Sequence, residues 1–468
     1  MLHKVLPKLL IVAGLFLTFT LVFTLMQNNH IYSSTLGKIS NNYENTVVNG
    51  APMINVVSKP FTQFNESKAY NWDVGYYKGI RDNMYNGTGD SAAFRYAFFP
   101  LFPMVWKATH TGVHGMVLLN YLFFGLSMIF LTSVFLGNSK SEMFFFVFAL
   151  ILPSAIAFCL PYTEALFMLM FTIAFLGLLK RKYWLYFIAM VCFSMTRPAG
   201  LILSMALVSL NMINLFSHRR FLLFVKESFL MVIPIFLGWF LVLLIQHNYS
   251  SSWGSYFEAA ASWPKQRDPY FPISDWSVEG FGMTAFAMFF FALPICIYAI
   301  FWGCSVMLDK VKDNAISLFS GDKEYVKKFM FNASICFIAV FVLFNYISSG
   351  YQTNGFYRYT MATPFFYIIL FQLPEKFKSI PGHFKLAGCI IVFISVAVFL
   401  SSAEYGGNIL RFNYMGMYLL LSLFIMFMAE PYLGNRTKII LLVIFILPCI
   451  IWHTYLFNMY LSNTWIFT

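Results

Sequence analysis

The sequence predicts an all-α polytopic membrane protein, and three observations lead to this fold class. Of the 468 residues, 59% are hydrophobic and only 11% are charged, and the mean hydropathy is +0.70. A soluble globular chain carries roughly 25% charged residues, so this chain has too few charges to cover a water-facing surface. Apolar windows of about 20 residues, the length that crosses a bilayer as a helix, recur from end to end. These runs are continuous and do not alternate with period 2, which argues against a β-barrel.

Thirteen apolar segments are candidate membrane-spanning helices, and about 11–13 spans are expected because some short segments could be halves of one broken helix. The segments are 6–26, 112–136, 142–159, 163–179, 183–195, 198–214, 221–246, 281–307, 330–348, 359–372, 387–401, 413–429 and 438–456. The first follows basic residues and has no small-residue cleavage site after it, which is typical of an uncleaved signal anchor. We expect residues 1–468 to form one integrated membrane domain.

The distribution of basic residues predicts how these spans are oriented. With the N-terminus in the cytoplasm, 19 Lys and Arg residues fall in cytoplasmic loops and only 4 in the short outer loops. This positive-inside pattern explains the net charge of +12 without nucleic acid as a partner. The same split favours a hairpin at 196–198, since one unbroken helix there would put the following basic loops outside. Two larger extracytoplasmic loops then follow, at 27–111 and 247–280.

Cysteine and histidine give little indication of a cofactor. The seven cysteines lie within or beside apolar stretches without any CxxC pair, which favours small buried side chains over a disulfide framework or a zinc site. His110 and His114 have the i,i+4 spacing of two metal ligands on one helix face, but no carboxylate or cysteine nearby in sequence completes a site. No cofactor is firmly implied, and a divalent cation stays open.

The first outer loop carries a carboxylate, Asp73, among the aromatic residues Trp72 and Tyr76. Such aromatic residues are typical of headgroup depth, where a carboxylate is partly desolvated and suited to act as a general base. Tyr76 and Ile80 follow Asp73 at i+3 and i+7, so a helix here would place all three near one face. The alternative interpretation is an ordinary exposed Asp on a loop helix.

Three arginines are candidate contacts for a phosphate or a sugar. Arg197 is the strongest signal, because an arginine near membrane depth is costly and is usually functional or paired. It could hold a lipid phosphate, or it could be a structural partner of Glu164 or Asp73. Arg95 and Arg358 lie at predicted outer boundaries, and a planar guanidinium suits an oxyanion. The alternative for both is anchoring at the membrane interface.

Glu164 follows a break between two apolar segments. Pro161 and Thr163 are suited to end one span and to cap the next. In the first turn of a helix, a carboxylate is stabilised by the helix dipole, which would explain Glu164 structurally. Its position at the predicted outer boundary leaves a role in substrate binding open.

Three segments, in this order and spacing, resemble the signatures of the PIG-V family, whose members add the second mannose of the glycosylphosphatidylinositol anchor. The segments run from Trp72-Asp73 to Ala97-Phe98-Phe99-Pro100-Leu101-Phe102-Pro103, from Pro153-Ser154 to Glu164-Ala165-Leu166-Phe167, and from Thr196-Arg197 to Gly200. The likeness covers residues 70–205 well and the rest only in general character. The sequence departs from the family at Pro198, where a Ser or similar residue is usual.

The resemblance implies a GT-C glycosyltransferase with a large first extracytoplasmic loop and a polyprenyl-phosphate sugar as donor. Asp73 would deprotonate an acceptor hydroxyl, and a hexose, with mannose as the family default, would be transferred with inversion. Arg197, Arg358 and Arg95 would stabilise the departing lipid phosphate, and Glu164, Tyr76 and Trp72 are further candidate substrate contacts. The acceptor stays open among a lipid, a glycan and a protein.

The expected location follows from the composition, which is rich in Phe, Ile, Asn and Lys and typical of an AT-biased bacterial genome. We therefore expect the bacterial inner membrane, with the site on the extracytoplasmic side, or the endoplasmic reticulum membrane if the chain is eukaryotic. The main alternative function is a multi-span transporter or flippase of a lipid-linked or glycan substrate. The one-sided polar features and the long outer loop argue against it. A membrane acyltransferase would need a histidine-centred motif, and a non-catalytic assembly scaffold would not depend on Asp73.

Overall fold

A computed structural model describes most of the chain. The described residues are 2–39, 42–48, 51–57, 61–87, 93–137, 139, 141–218, 221–262, 287–308, 318–320, 322–348, 355–376, 380–403, 415–464 and 466. The predicted outer loop 247–280 is therefore described only as far as residue 262. Between the predicted spans 330–348 and 359–372, the segment that contains Arg358 is described only from residue 355.

Helices dominate the described part of the chain. Their bounds are α1 (Leu2–Met26), α2 (Asn29–Ser34), α3 (Leu36–Ile39), α4 (Asp73–Asn83), α5 (Leu101–Thr109), α6 (Val113–Leu136), α7 (Glu142–Ile151), α8 (Glu164–Leu179), α9 (Tyr183–Ser194), α10 (Ala199–His218), α11 (Phe221–Ser250), α12 (Ser255–Ser262), α13 (Leu293–Leu308), α14 (Lys323–Ser348), α15 (Phe356–Met361), α16 (Pro364–Lys376), α17 (Gly382–Ala403), α18 (Met415–Ala429) and α19 (Asn435–Leu461). Every predicted apolar segment overlaps at least one of these helices.

The lengths and composition of the helices confirm a multi-pass membrane protein. Six helices in the described part are long and apolar enough to cross a membrane, namely α1, α6, α11, α14, α18 and α19. The count is seven if α7 and the 3₁₀ helix Pro153–Cys159, which meet at a bend of 70°, form one span. Shorter apolar helices of 10–17 residues lie in α8, α9, α10, α13 and α17.

The first outer loop also contains a β-hairpin, so the all-α prediction holds for the membrane region but not for this loop. Strand β1 (Asn42–Val48) pairs antiparallel with β2 (Ala51–Val57), with Asn42 opposite Val57. Both strands contain the β-branched residues that favour a pleated surface. The sequence signal for this hairpin was the Asn49-Gly50 dipeptide between the strands, which is typical of a two-residue hairpin turn.

The chain reverses direction between α9 and α10, as the sequence predicted. Tyr186 and Ser194 donate hydrogen bonds to the carbonyl oxygens of Met231 (3.1 Å) and Ile235 (2.7 Å), so α9 runs parallel to α11. In contrast, Gly200 lies against Ile235 while Asn211 donates to Ser228 at 3.1 Å, so α10 runs antiparallel to α11. The reversal falls at Arg197 and Pro198, since a proline disfavours helix at the preceding residue.

Two polar regions lie at opposite ends of α6. Near its start, the Asn120 side chain donates to the carbonyl oxygens of Leu160 (2.5 Å) and Tyr162 (2.9 Å). Near its end, Thr132 accepts a hydrogen bond from Lys8 at 3.1 Å. Twelve residues of α-helix separate the two positions, which corresponds to about 18 Å. We refer to these two ends of the molecule as the Asp73 end and the Lys8 end.

The bend after α7 is stabilised by a distant histidine. Pro153 cannot donate a backbone hydrogen bond, so the helical ladder stops at Leu152. A ring nitrogen of His453 in α19 lies 3.0 Å from the carbonyl oxygen of Leu152. The same carbonyl oxygen accepts a hydrogen bond of 2.8 Å from the backbone N–H of Ala155, so His453 adds a second contact at the bend and ties it to α19.

Helix α4 places its first residue at the edge of the folded loop. Val74, Tyr77 and Ile80 form its buried face, and the Tyr77 ring packs edge-on against Phe98 and Phe102 at 5.3 Å. Helix α4 therefore places Asp73, Tyr76 and Ile80 near one face, as the sequence predicted, and Ile80 is the fully buried member of the three. Asp73 and Tyr76 lie at the rim of the buried face.

Candidate active site

Asp73 occupies the first position of α4 and stays partly accessible. The preceding residue, Trp72, has φ 53° and ψ −135°, a backbone conformation that residues other than glycine rarely adopt. The Asp73 side chain is 20% exposed, and its Oδ2 accepts a hydrogen bond of 2.8 Å from Nη1 of Arg358. A strained backbone and a paired, accessible carboxylate at a helix start are features that cluster at functional sites.

Arg358 joins two carboxylates within the protein. It lies in α15 with a side chain that is only 2% exposed. Its Nε donates to Oε1 of Glu164 at 2.5 Å, while its Nη1 binds Asp73. The guanidinium also lies over the ring of Tyr162, 4.2 Å from the ring centroid. The planar fork of arginine allows this bridging, which a lysine ammonium group could not reproduce.

Glu164 is the buried centre of the group. It begins α8, is fully buried, and uses the single oxygen Oε1 both to accept the hydrogen bond from Arg358 and to form an ion pair with Nη1 of Arg197 at 3.1 Å. Its Oε2 has no hydrogen-bond partner among the described residues. Thr163 occupies the capping position of α8, but its side chain makes no capping hydrogen bond, contrary to our expectation.

Arg197 lies at the reversal between α9 and α10 and is 11% exposed. Its guanidinium lies over the rings of Phe167 (5.4 Å) and Tyr359 (5.3 Å). The structural interpretation considered for Arg197, pairing with Glu164, is therefore observed. Four charged side chains from four separate segments thus alternate in sign, and we call this series the ion-pair chain: Asp73, Arg358, Glu164 and Arg197.

Asn120 is a supporting residue that the sequence analysis missed. Its two hydrogen bonds to the backbone at Leu160 and Tyr162 fix the segment that leads into Glu164. Asn120 is fully buried in α6, a helix that is otherwise largely apolar. A lone amide in an apolar span was the available signal, because buried polar groups in a membrane need partners.

The aromatic candidates lie beside Asp73. Trp72 is 41% exposed, and Tyr76 stacks on Phe98 with ring centroids 4.7 Å apart and an interplanar angle of 13°. Burial and then the charge of Asp73 raise the pKa of Tyr76, so its phenol stays protonated at neutral pH. An exposed indole and a partly buried phenol next to a carboxylate can contact both a sugar and a lipid headgroup.

Arg95 lies apart from the ion-pair chain. Its Nη1 donates to the carbonyl oxygen of Asn86 at 2.9 Å, and its guanidinium lies so close to Gly79 that a Cβ there would be 2.6 Å from Nε. Gly79 follows Asp73 by six residues of α4, or about 9 Å along the helix. The described contacts of Arg95 therefore hold the first loop together rather than joining it to Asp73.

The two histidines do not share a helix face. His110 ends α5 in a left-handed conformation with φ 51°, whereas His114 belongs to α6 and packs against the Phe64 ring with centroids 4.0 Å apart. The premise of two ligands on one helix is therefore wrong. Within the described ranges, no group of three or more His, Cys, Asp or Glu side chains is arranged to hold a metal ion.

Comparison with known proteins gives no relative: no protein-family model, no curated protein and no solved structure matches this chain. The chemistry of the site is therefore argued from its own geometry. An accessible carboxylate and an accessible guanidinium are linked through two buried charges of opposite sign. Such a pair can accept a proton at one end and stabilise a developing negative charge at the other.

Proposed function

We propose that this chain is a membrane glycosyltransferase of the GT-C type with about 11–13 spans. It would move a hexose, with mannose as the first candidate, from a polyprenyl-phosphate donor to a lipid, glycan or protein acceptor. The reaction would take place on the extracytoplasmic side of the bacterial inner membrane, or in the endoplasmic reticulum membrane of a eukaryote. The ion-pair chain is the observation that supports this proposal most directly, because it combines a candidate base with a candidate phosphate contact in a multi-pass membrane protein.

Asp73 is assigned the role of general base. Its Oδ2 is held by Arg358, and none of the hydrogen bonds among the described residues engages Oδ1, which leaves that oxygen to receive a proton. As the acceptor hydroxyl gives its proton to Asp73, its oxygen forms a bond to the anomeric carbon of the donor sugar. The bond from that carbon to the phosphate oxygen breaks on the opposite face, so the configuration inverts and the polyprenyl phosphate leaves.

Arg197 is assigned the role of stabilising the leaving phosphate. Its guanidinium is partly exposed, lies on two aromatic rings and contacts Glu164 through Nη1. Guanidinium groups suit phosphate oxygens, and one well-placed donor can lower such a barrier by about 3–4 kcal/mol. A lipid-linked donor needs this contact near headgroup depth, which agrees with the position of Arg197 at the end of an apolar helix.

The decisive experiment compares two Asp→Asn variants of the same helix in lipid nanodiscs. The donor is a radiolabelled short-chain polyprenyl-phosphate mannose, with the glucose and galactose analogues as alternatives, and a total lipid and glycan extract supplies acceptors. Asp73→Asn should reduce transfer by about 10²–10⁴-fold because general-base catalysis is lost. Asp82→Asn is the matched control, since Asp82 also lies in α4 and also pairs with cations, Lys78 and Arg81, both at 2.7 Å.

Asp82→Asn should retain wild-type transfer. Near-normal turnover by Asp73→Asn would refute the assignment of the base. Movement of the donor across the membrane with its glycosidic bond intact, together with no transfer from any of the three donors, would favour a flippase over an enzyme.

A further inference from the structure

We infer that Arg358 and Glu164 are positioning residues, which hold Asp73 and Arg197 in a fixed relation and do not themselves touch the substrate. This inference rests on the proposed function and deepens it. It also revises two expectations from the sequence, where Arg358 was a candidate phosphate contact and Glu164 a candidate substrate contact.

Burial divides the ion-pair chain into two layers. The side chains of Asp73 and Arg197 are 20% and 11% exposed, whereas those of Arg358 and Glu164 are 2% and 0% exposed. Arg358 exposes almost no surface to a phosphate oxygen, and its described hydrogen bonds go to the two carboxylates. Breaking such a buried contact is costly, so a substrate would meet the two outer members first.

Charge excludes Glu164 as a direct phosphate ligand, because a carboxylate repels a phosphate. Instead, one oxygen of Glu164, Oε1, contacts both arginines: it accepts a hydrogen bond from Arg358 and forms an ion pair with Arg197. One atom thereby fixes Nε of Arg358 and Nη1 of Arg197 relative to each other. Since Arg358 also holds Asp73, the base and the phosphate contact are connected through two buried links.

A positioning role makes a distinctive prediction for Glu164→Gln. The variant removes the negative charge beside Arg197, so phosphate should bind more tightly, by about fivefold. The variant also weakens the contacts through which Glu164 fixes the position of Arg197 relative to Arg358 and Asp73. Small misplacements of reacting groups slow catalysis, so kcat should fall by about 10²-fold. A residue that only stabilises the fold would weaken both binding and turnover when it is replaced.

The binding probe is citronellyl phosphate, a short isoprenyl phosphate without sugar, titrated against protein in nanodiscs. The matched control is Glu142→Gln at the Lys8 end, which also removes the charge of a carboxylate paired with a buried cation. Glu142→Gln should leave both the Kd of the probe and kcat at wild-type values. Arg358→Lys keeps the positive charge but loses the planar guanidinium that binds two carboxylates at once. Its kcat should therefore fall, while the Kd of the probe stays within about twofold.

The outcomes separate this inference from the proposed function. Weaker probe binding by Glu164→Gln or Arg358→Lys, or unchanged kcat in both, would overturn the positioning role. Where Glu164→Gln does not fold, Glu164→Asp replaces it. This variant keeps the negative charge, so the Kd of the probe should not change. Its shorter side chain moves the carboxylate away from the two arginines, so kcat should fall by about tenfold. Wild-type protein without any sugar transfer would overturn the proposed function and, with it, this inference.

Discussion

The Asp73 end and the Lys8 end of the molecule both contain buried ion pairs, but the pairs are built differently. At the Lys8 end, Lys8 binds Glu142 and two hydroxyl groups, those of Thr132 (3.1 Å) and Ser133 (3.0 Å). Each charge there is satisfied by one counter-ion and by nearby neutral groups. At the Asp73 end, in contrast, one arginine serves two carboxylates and one carboxylate serves two arginines.

The choice of cation follows the same division. The Lys8 end uses ammonium groups, with a second pair of Lys438 and Glu430 to which the Ser141 hydroxyl also bonds. An ammonium group is a compact point charge that can tie helix ends together without a strict orientation. The Asp73 end uses guanidinium groups, which fix direction as well as charge. We therefore interpret the Lys8 end as structural and the Asp73 end as the site of chemistry.

The largest expected effect comes from removing the shared cation at the Asp73 end. Arg358→Leu leaves Asp73 and Glu164 without that partner, and the loss of one member of a buried ion pair costs about 3–5 kcal/mol. Lys8→Met is the comparison at the other end. This variant leaves the Glu142 carboxylate without its counter-ion, but that side chain is 15% exposed and stays near the Ser133 hydroxyl. The loss in free energy of unfolding should therefore be smaller, about 2 kcal/mol.

Thermal unfolding in nanodiscs measures this difference, with kcat recorded for the folded fraction of each variant. Lys8→Met should keep normal turnover per folded molecule, whereas Arg358→Leu should lose it. If the two variants lost stability equally and both kept turnover, the distinction between the two ends would be wrong.

A smaller effect is expected from Arg197→Gln, which sharpens the comparison within the ion-pair chain. The side chain keeps hydrogen-bonding capacity but loses its charge, so the KM for the donor should rise by about tenfold. The KM for the acceptor should stay constant, because the acceptor meets Asp73 rather than Arg197. Lys438→Gln at the Lys8 end is the control and should change neither value. Equal increases in both KM values for Arg197→Gln would contradict a phosphate contact.

The sequence predicted the elements of the fold well because the membrane imposes strong local rules. Continuous apolar runs marked the helices, and the basic residues predicted the reversal at Arg197-Pro198 that the contacts of α9 and α10 with α11 confirm. The same layout put Asp73, Glu164, Arg197 and Arg358 on one side. All four indeed meet at one place.

The pairing order within the site could not be predicted. Asp73 and Arg358 are 285 residues apart in sequence, and only tertiary packing decides which arginine reaches which carboxylate. From the sequence, Arg95 and Arg358 therefore had the same predicted role, although the described contacts of Arg95 hold only its own loop. The support from Asn120 was missed for the same reason, since its partners lie 40 and 42 residues away.

The most direct test of the proposed site is photo-crosslinking with an isoprenyl-phosphate mannose that carries a diazirine next to the phosphate. Labelled peptides, located by mass spectrometry, should come from 162–199 and 355–361, and excess citronellyl phosphate should suppress the labelling. Labelling centred on 132–142 and 430–438, with the same competition, would place the phosphate at the Lys8 end and contradict the assignment of chemistry to the ion-pair chain.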